Sequence, residues 1–213
     1  MIRTALLCAV LLWASYAAAT RITHGFQAWT DEDARRLEVA QAPVPAPGVA
    51  IEGSGVAAPE LRALLVNGRD VTVVEFIYTR CETLCLVGGA IFQQMQEALR
   101  ARPAASKDAG RVRLLSISFD TARDGPAELA AYARRMHADP DRWQVVRVPR
   151  AGDLDQLLAA FRVVVVPSGR GDFEHNAALL VVDREGRLVR IFDLAQQQLA
   201  LDYAMHLAQG GTP

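Results

Sequence analysis

Two cysteines four residues apart, Cys81 and Cys85, stand where the apolar, β-branched run of residues 71–80 (VTVVEFIYTR) meets a helical pattern in residues 86–96 (LVGGAIFQQMQ). If a helix starts near Cys81, the two side chains share one face, with Cβ atoms about 5–6 Å apart. That separation suits one shared metal ion or, with slight adjustment, one disulfide. A helix N-terminus presents unpaired N–H groups and the positive end of its dipole, and both favour thiolate over thiol. The residues alone therefore point to a redox or metal site built from two cysteines at a strand-to-helix corner, the place where α/β folds put function. The plainer alternative is a pair of buried, inert thiols.

The remaining cysteine, Cys8, belongs to a different kind of segment. In residues 1–19 Arg3 is the only charge, residues 5–19 are almost wholly apolar, and the run ends in Ala17, Ala18 and Ala19. This pattern predicts a signal peptide cut after Ala19, with periplasmic export; the alternative is an uncleaved inner-membrane anchor facing the periplasm. Cleavage discards Cys8 and leaves Cys81 and Cys85 as the whole cysteine complement. In an oxidising compartment such a pair is a structural disulfide, a redox dithiol or a metal site. A loop this short gains little from a structural cross-link, which demotes the first option.

Around this corner the chain of 213 residues, 51% hydrophobic and 22% charged, has the composition of a soluble globular protein. A formal net charge of -1 gives no reason to expect nucleic acid as a partner. Residues 20–69 read as an N-terminal extension, a hairpin or a wrap covering the sheet, with extended chain at Pro43, Pro45 and Pro47 and a short helix in 59–65. Residues 70–208 form the main domain. Strands are expected at 71–78, 112–119 and 143–148, alternating with helices at 90–100, 127–137 and 153–161. The apolar stretch 163–166 runs into Pro167, Ser168, Gly169 and Gly171, which predict a loop. A hairpin, 177–182 and 188–192, follows around Asp183, Arg184, Glu185 and Gly186. A helix in 194–208 and a tail in 209–213 close the chain. This order predicts an α/β fold with helices on both faces of a central mixed sheet. A dithiol after the first central strand, with a late hairpin and terminal helix, is the thioredoxin-like arrangement.

Three stretches carry a closer likeness. FIYTRCETLC, SISFDTARDGPAELAAYARRMHADPDRW and DFEHNAALLVVDREGRLV occur in that order within roughly residues 70–195. Together they resemble the SCO/SenC copper proteins of the thioredoxin superfamily. The resemblance implies a copper site made by Cys81, Cys85 and His175. Soft thiolates suit Cu(I), and imidazole also accepts Cu(II). This chain departs from the family pattern at Glu82 and Leu86, where prolines are usual, at Glu174, and at Phe119 and Thr121 around Asp120. Asp120 and Asp124 are expected to cap the following helix. Met95 and Met136 fall on helical apolar faces and are expected in the core, and His24, His137 and His206 match no motif.

The resemblance implies a copper chaperone delivering the metal to cytochrome c oxidase, at the dinuclear site of subunit II, or to another copper-accepting protein. The second expectation is a thiol-disulfide oxidoreductase that reduces a copper-accepting protein, with Cys81 attacking and Cys85 resolving. In the absence of copper the two cysteines are expected to form one disulfide. A third reading is a thioredoxin-like binding module with an inert disulfide.

Overall fold

β3 (Val71–Ile77) is buried along its whole length, including Thr72 and Glu75, because it has a strand on each side and helices on both faces. It pairs in parallel with β4 (Val112–Ser118) and antiparallel with β8 (Leu179–Val182). The near-continuous apolar sequence of β3 and β4 is what two-sided burial requires. β5 (Trp143–Arg147) runs parallel beside β4, and β9 (Arg187–Phe192) forms a hairpin with β8. The computed structural model describes residues 2–53, 55–56, 58–80, 84–101, 111–169 and 172–213, with backbone only for 84–86.

Two very short strands finish this seven-stranded mixed sheet at opposite edges. β1 (Val44–Pro45) pairs with β9, and β2 (Glu52–Gly53) pairs with β5. Residues 43–53 thus cross from one edge of the sheet to the other. Pro45 is tolerated because an edge strand has one unpaired side.

Helices cover both faces. α4 (Leu84–Arg100) lies over the face that carries Glu75, with α7 (Gln197–Ala208) beside it on β3 and β8, and α5 (Pro126–Arg135) places Tyr132 and nearby Met136 against Gly89 of α4. On the opposite face α6 (Ala151–Phe161) sets Phe161 edge-on to Phe76, with ring centroids 6.2 Å apart. α3 (Leu61–Leu65) brings Leu64 over Thr72 on that same face. The fold is thioredoxin-like, as the order of elements predicts. Met95 and Met136 are buried in the core.

The late hairpin turns as expected. Asp183 accepts from the backbone N–H groups of Glu185 and Arg187 at 3.0 and 2.9 Å, and Gly186 takes φ 74°. A side chain at Gly186 would also strike Val66, so both backbone and space require glycine there.

One element differs from expectation. Residues 165–169 and 172–175 are not loop but two antiparallel strands, β6 (Val165–Gly169) and β7 (Asp172–His175), which form a ribbon separate from the main sheet. Asn176 staples its base, accepting from the Val164 N–H at 2.8 Å and donating to the Arg162 carbonyl at 3.1 Å.

Residues Met1–Ala42 form a separate unit from Pro43–Pro213. In it α1 (Ile2–Ile22) is a 21-residue helix, long and apolar enough to cross a membrane. It continues through Ala19. α2 (Asp31–Gln41) starts in a capping box, where Thr30 and Asp33 accept from each other's backbone N–H.

Candidate metal centre

The corner after β3 is held by a buried carboxylate. Asp124 accepts from the Thr79 N–H at 2.8 Å, the Thr79 hydroxyl at 2.6 Å and the Ser118 hydroxyl at 2.5 Å. Arg135 donates to the Thr79 carbonyl at 3.1 Å. The chain two residues before Cys81 is therefore tied to the ends of both central parallel strands. This corrects the capping role expected of Asp124. The N-cap of α5 is Gly125, with no side-chain hydrogen bond, and Pro126 starts the helix. Asp120 instead forms an ion pair with Arg123. Sequence reasoning missed the role of Asp124 because its main partner lies 45 residues away.

Cys85 lies in the first turn of α4, so its backbone sits where the helix end favours a thiolate. Its side chain, all of Cys81 and hence the disulfide expected between them lie outside the described residues.

His175 is described, and the fold carries it to this corner. It ends β7, and an aromatic cluster seats it. Phe119, one residue past β4, lies 5.1 Å from the imidazole centroid and 5.4 Å from Phe173. Tyr78 packs against both, at 5.5 and 5.3 Å. These contacts dock the ribbon on the carboxyl ends of β3 and β4. His175 then lines a cavity of about 10 Å³ together with Gly88, three residues beyond Cys85 on α4, and with Glu75 and Ile77 of β3. The ribbon thus closes most of the 90 residues of sequence between Cys85 and His175.

Both ring nitrogens of His175 are buried and have no hydrogen-bond partner among the described residues. Burial also lowers its pKa below the usual 6.5, which favours the neutral imidazole that metals bind. A neutral, desolvated imidazole whose nitrogens have no partner among the described residues fits a metal ligand. Among the described residues no three His, Cys, Asp or Glu side chains converge, at this corner or elsewhere. His24 pairs with Glu38 at 3.5 Å in the N-terminal unit, and His137 follows α5 at φ 51°.

Sequence reasoning also missed Glu75. Its carboxyl is wholly buried, and desolvation raises its pKa to about 8 despite a 2.6 Å hydrogen bond from the Ser116 hydroxyl. The signal was present, since a lone carboxylate in VVEFI has to be buried if that run is a central strand.

A family model described as SCO1/SenC matches residues 66–207. A SCO1 protein homolog of Bacillus subtilis (strain 168) is 25% identical over 126 residues, covering 58% of this chain and 62% of the relative. The match thus spans less than two thirds of that relative's length. Among solved structures, Bradyrhizobium japonicum ScoI with copper bound superposes at a TM-score of 0.56 with 22% identity, covering 78% of this chain and 98% of its own. BsSco, described as having a disulfide switch and as a member of the Sco family of cytochrome c oxidase assembly proteins, gives a TM-score of 0.63 with 19% identity, covering 78% and 95%. At these identities the structural matches speak for the fold.

Proposed function

The chain belongs to the SCO1/SenC family, and on that footing we propose that it is a periplasmic copper chaperone that binds copper through Cys81, Cys85 and His175. The observation that supports this reading is His175, whose two ring nitrogens are buried with no partner among the described residues and which lines a cavity together with Gly88 of the cysteine-bearing helix. Thiolates hold Cu(I) by soft bonding, and the imidazole extends the site to Cu(II). A three-ligand site leaves room for an incoming donor, so copper passes to the acceptor by exchange of one ligand at a time. The acceptor is cytochrome c oxidase, at the dinuclear copper site of subunit II, or another copper-accepting protein. The length and apolar character of α1 support export or anchoring, and with it exchange in the periplasm. In the copper-free protein Cys81 and Cys85 close to a disulfide.

Thiol-disulfide exchange with a copper-accepting protein is the second reading. The position of Cys85 at a helix N-terminus supports it, because that position favours thiolate without any need for His175. One variant separates the two. His175→Ala should abolish stable Cu(II) binding, weaken Cu(I) binding and leave disulfide reduction largely intact. Visible thiolate-to-copper absorption, Cu(I) competition and a reductase assay on one preparation measure all three. Cu(II) binding that survives without His175 refutes the ligand assignment. Wild-type protein that binds neither ion but reduces disulfides strongly gives the function to the second reading.

A further inference from the structure

The buried side of the corner contains a directed chain of hydrogen bonds. The Trp143 indole N–H donates to Ser116 Oγ at 2.8 Å. Ser116 has one hydroxyl proton, and that proton goes to Glu75 Oε1 at 2.6 Å. Oε1 is thereby committed as an acceptor. Oε2 points the other way, to α4. A Cβ built on Gly88 would lie 2.5 Å from Oε2, so the carboxyl occupies the space that a side chain at position 88 would take. Glu75, Gly88 and His175 line the same cavity, and at about 10 Å³ it has room for one water. Within it the ring nitrogens of His175 are buried with no partner among the described residues, and Glu75 lines the same space with Oε2 as the oxygen that Ser116 does not engage.

We propose that Glu75 is a positioning residue for His175: Oε2 holds one imidazole nitrogen through a single water in this cavity and leaves the other nitrogen to face the metal. Metal-binding histidines commonly have their second nitrogen engaged in this way, which fixes tautomer and ring orientation. The metal-facing nitrogen must be the unprotonated one, so the other is N–H and donates to the oxygen of the bridging water. With Oε1 accepting from Ser116 and burial raising the pKa of Glu75, the neutral acid offers its Oε2 proton to that same water oxygen. His175 is the titratable side chain that shares the cavity with it, while Ser116 and Trp143 on the neighbouring strands carry no charge. The inference deepens the copper reading and rests on it for its consequence in metal affinity. The polar chain itself belongs to the metal-free protein.

The test compares wild type, Glu75→Gln, Glu75→Leu and Gly88→Ala, all first metal-free. Proton–nitrogen correlation spectra of the histidine side chains report the tautomer of His175. Wild type should show one dominant tautomer. Glu75→Gln, which retains an acceptor for Ser116 and a donor for the cavity, should keep it. Glu75→Leu and Gly88→Ala, the first by removing Oε2 and the second by displacing it, should shift the tautomer balance. Cu(II) affinity should then fall about 10–100-fold in Glu75→Leu and much less in Glu75→Gln. His175 resonances in Glu75→Leu and Gly88→Ala that match wild type overturn the proposal, whatever copper does. A wild type that binds no copper, with a tautomer that still responds to Glu75, overturns the chaperone reading and upholds this one. If one of the two disruptive variants does not fold, the other decides alone.

Discussion

His175 and Glu75 are both buried ionisable groups, and their pKa shifts favour the neutral form in each. For His175 the folded pKa lies below the unfolded value, so its contribution to stability is present above pH 6.5 and is lost as the pH falls through the folded pKa. Proton competition for the imidazole should therefore set in only below that pH. Glu75 behaves in the opposite sense. Its folded pKa of about 8 lies above the model-compound value of 4.5, so the folded state binds more protons in between. Its contribution is present below about pH 4.5 and is lost as the pH rises through about 8. Glu75→Gln removes this dependence. Relative to the variant, wild type should lose on the order of 4 kcal/mol between pH 5 and pH 9. Urea unfolding of both proteins across that range measures it. A difference that stays flat with pH would show that Glu75 is not held protonated. Asp124 illustrates what a linear reading cannot deliver. Its residue type suggested a cap, but its three short hydrogen bonds run to Thr79 and Ser118, and only the folded register of β3 and β4 brings those together.

Among the elements, the strands and helices that alternate from β3 onward were legible because their apolar periods are strong and their breaks contain Gly, Pro or Asp. The Asp183–Gly186 turn was readable for the same reason. β1 and β2 were not legible as strands, since two residues give no period, and their pairing to β9 and β5 is a property of the sheet edges. The β6–β7 ribbon is not legible in the sequence because Pro167, Gly169 and Gly171 normally break strands, and because its two strands pair only with each other, apart from the main sheet. Its docking depends on rings far apart in sequence. Phe173 packs edge-on against Tyr78 and Phe119, and Arg123 lies over its ring at 5.2 Å. Phe173→Ala should free the ribbon and cost roughly 2 kcal/mol, less than a fully buried Phe because the ring is partly exposed. The larger effect should be on the metal. Cu(II) affinity, which needs His175 in place, should drop at least about tenfold, while Cu(I), held chiefly by thiolate, should change little. Unfolding curves and parallel Cu(I) and Cu(II) titrations check both halves.

At the scale of the whole molecule, the main domain and its family were written in three separated stretches that the fold brings to one sheet. The cysteine spacing and the position of His175 after Phe173 are read from the sequence as candidate ligands. Glu75 and the hydrogen bonds behind it became visible only with the strands in register. The N-terminal unit poses its own question. α1 is long and apolar enough to span a membrane and runs unbroken to Ile22, and the Ala17 to Ala19 end of its apolar run predicts cleavage after Ala19. Intact mass of the protein recovered from the periplasm should lack residues 1–19. A mass that retains them would make α1 an anchor.

The central claim is that one imidazole and two thiolates hold copper in this chain. X-ray absorption of the Cu(II)-loaded protein, read together with electron paramagnetic resonance after ¹⁵N-histidine labelling, counts those ligands directly. The account predicts two sulfur donors and one histidine nitrogen in wild type, with the nitrogen signal gone in His175→Ala. A wild-type spectrum with no nitrogen donor, or a nitrogen that persists in His175→Ala, would contradict it.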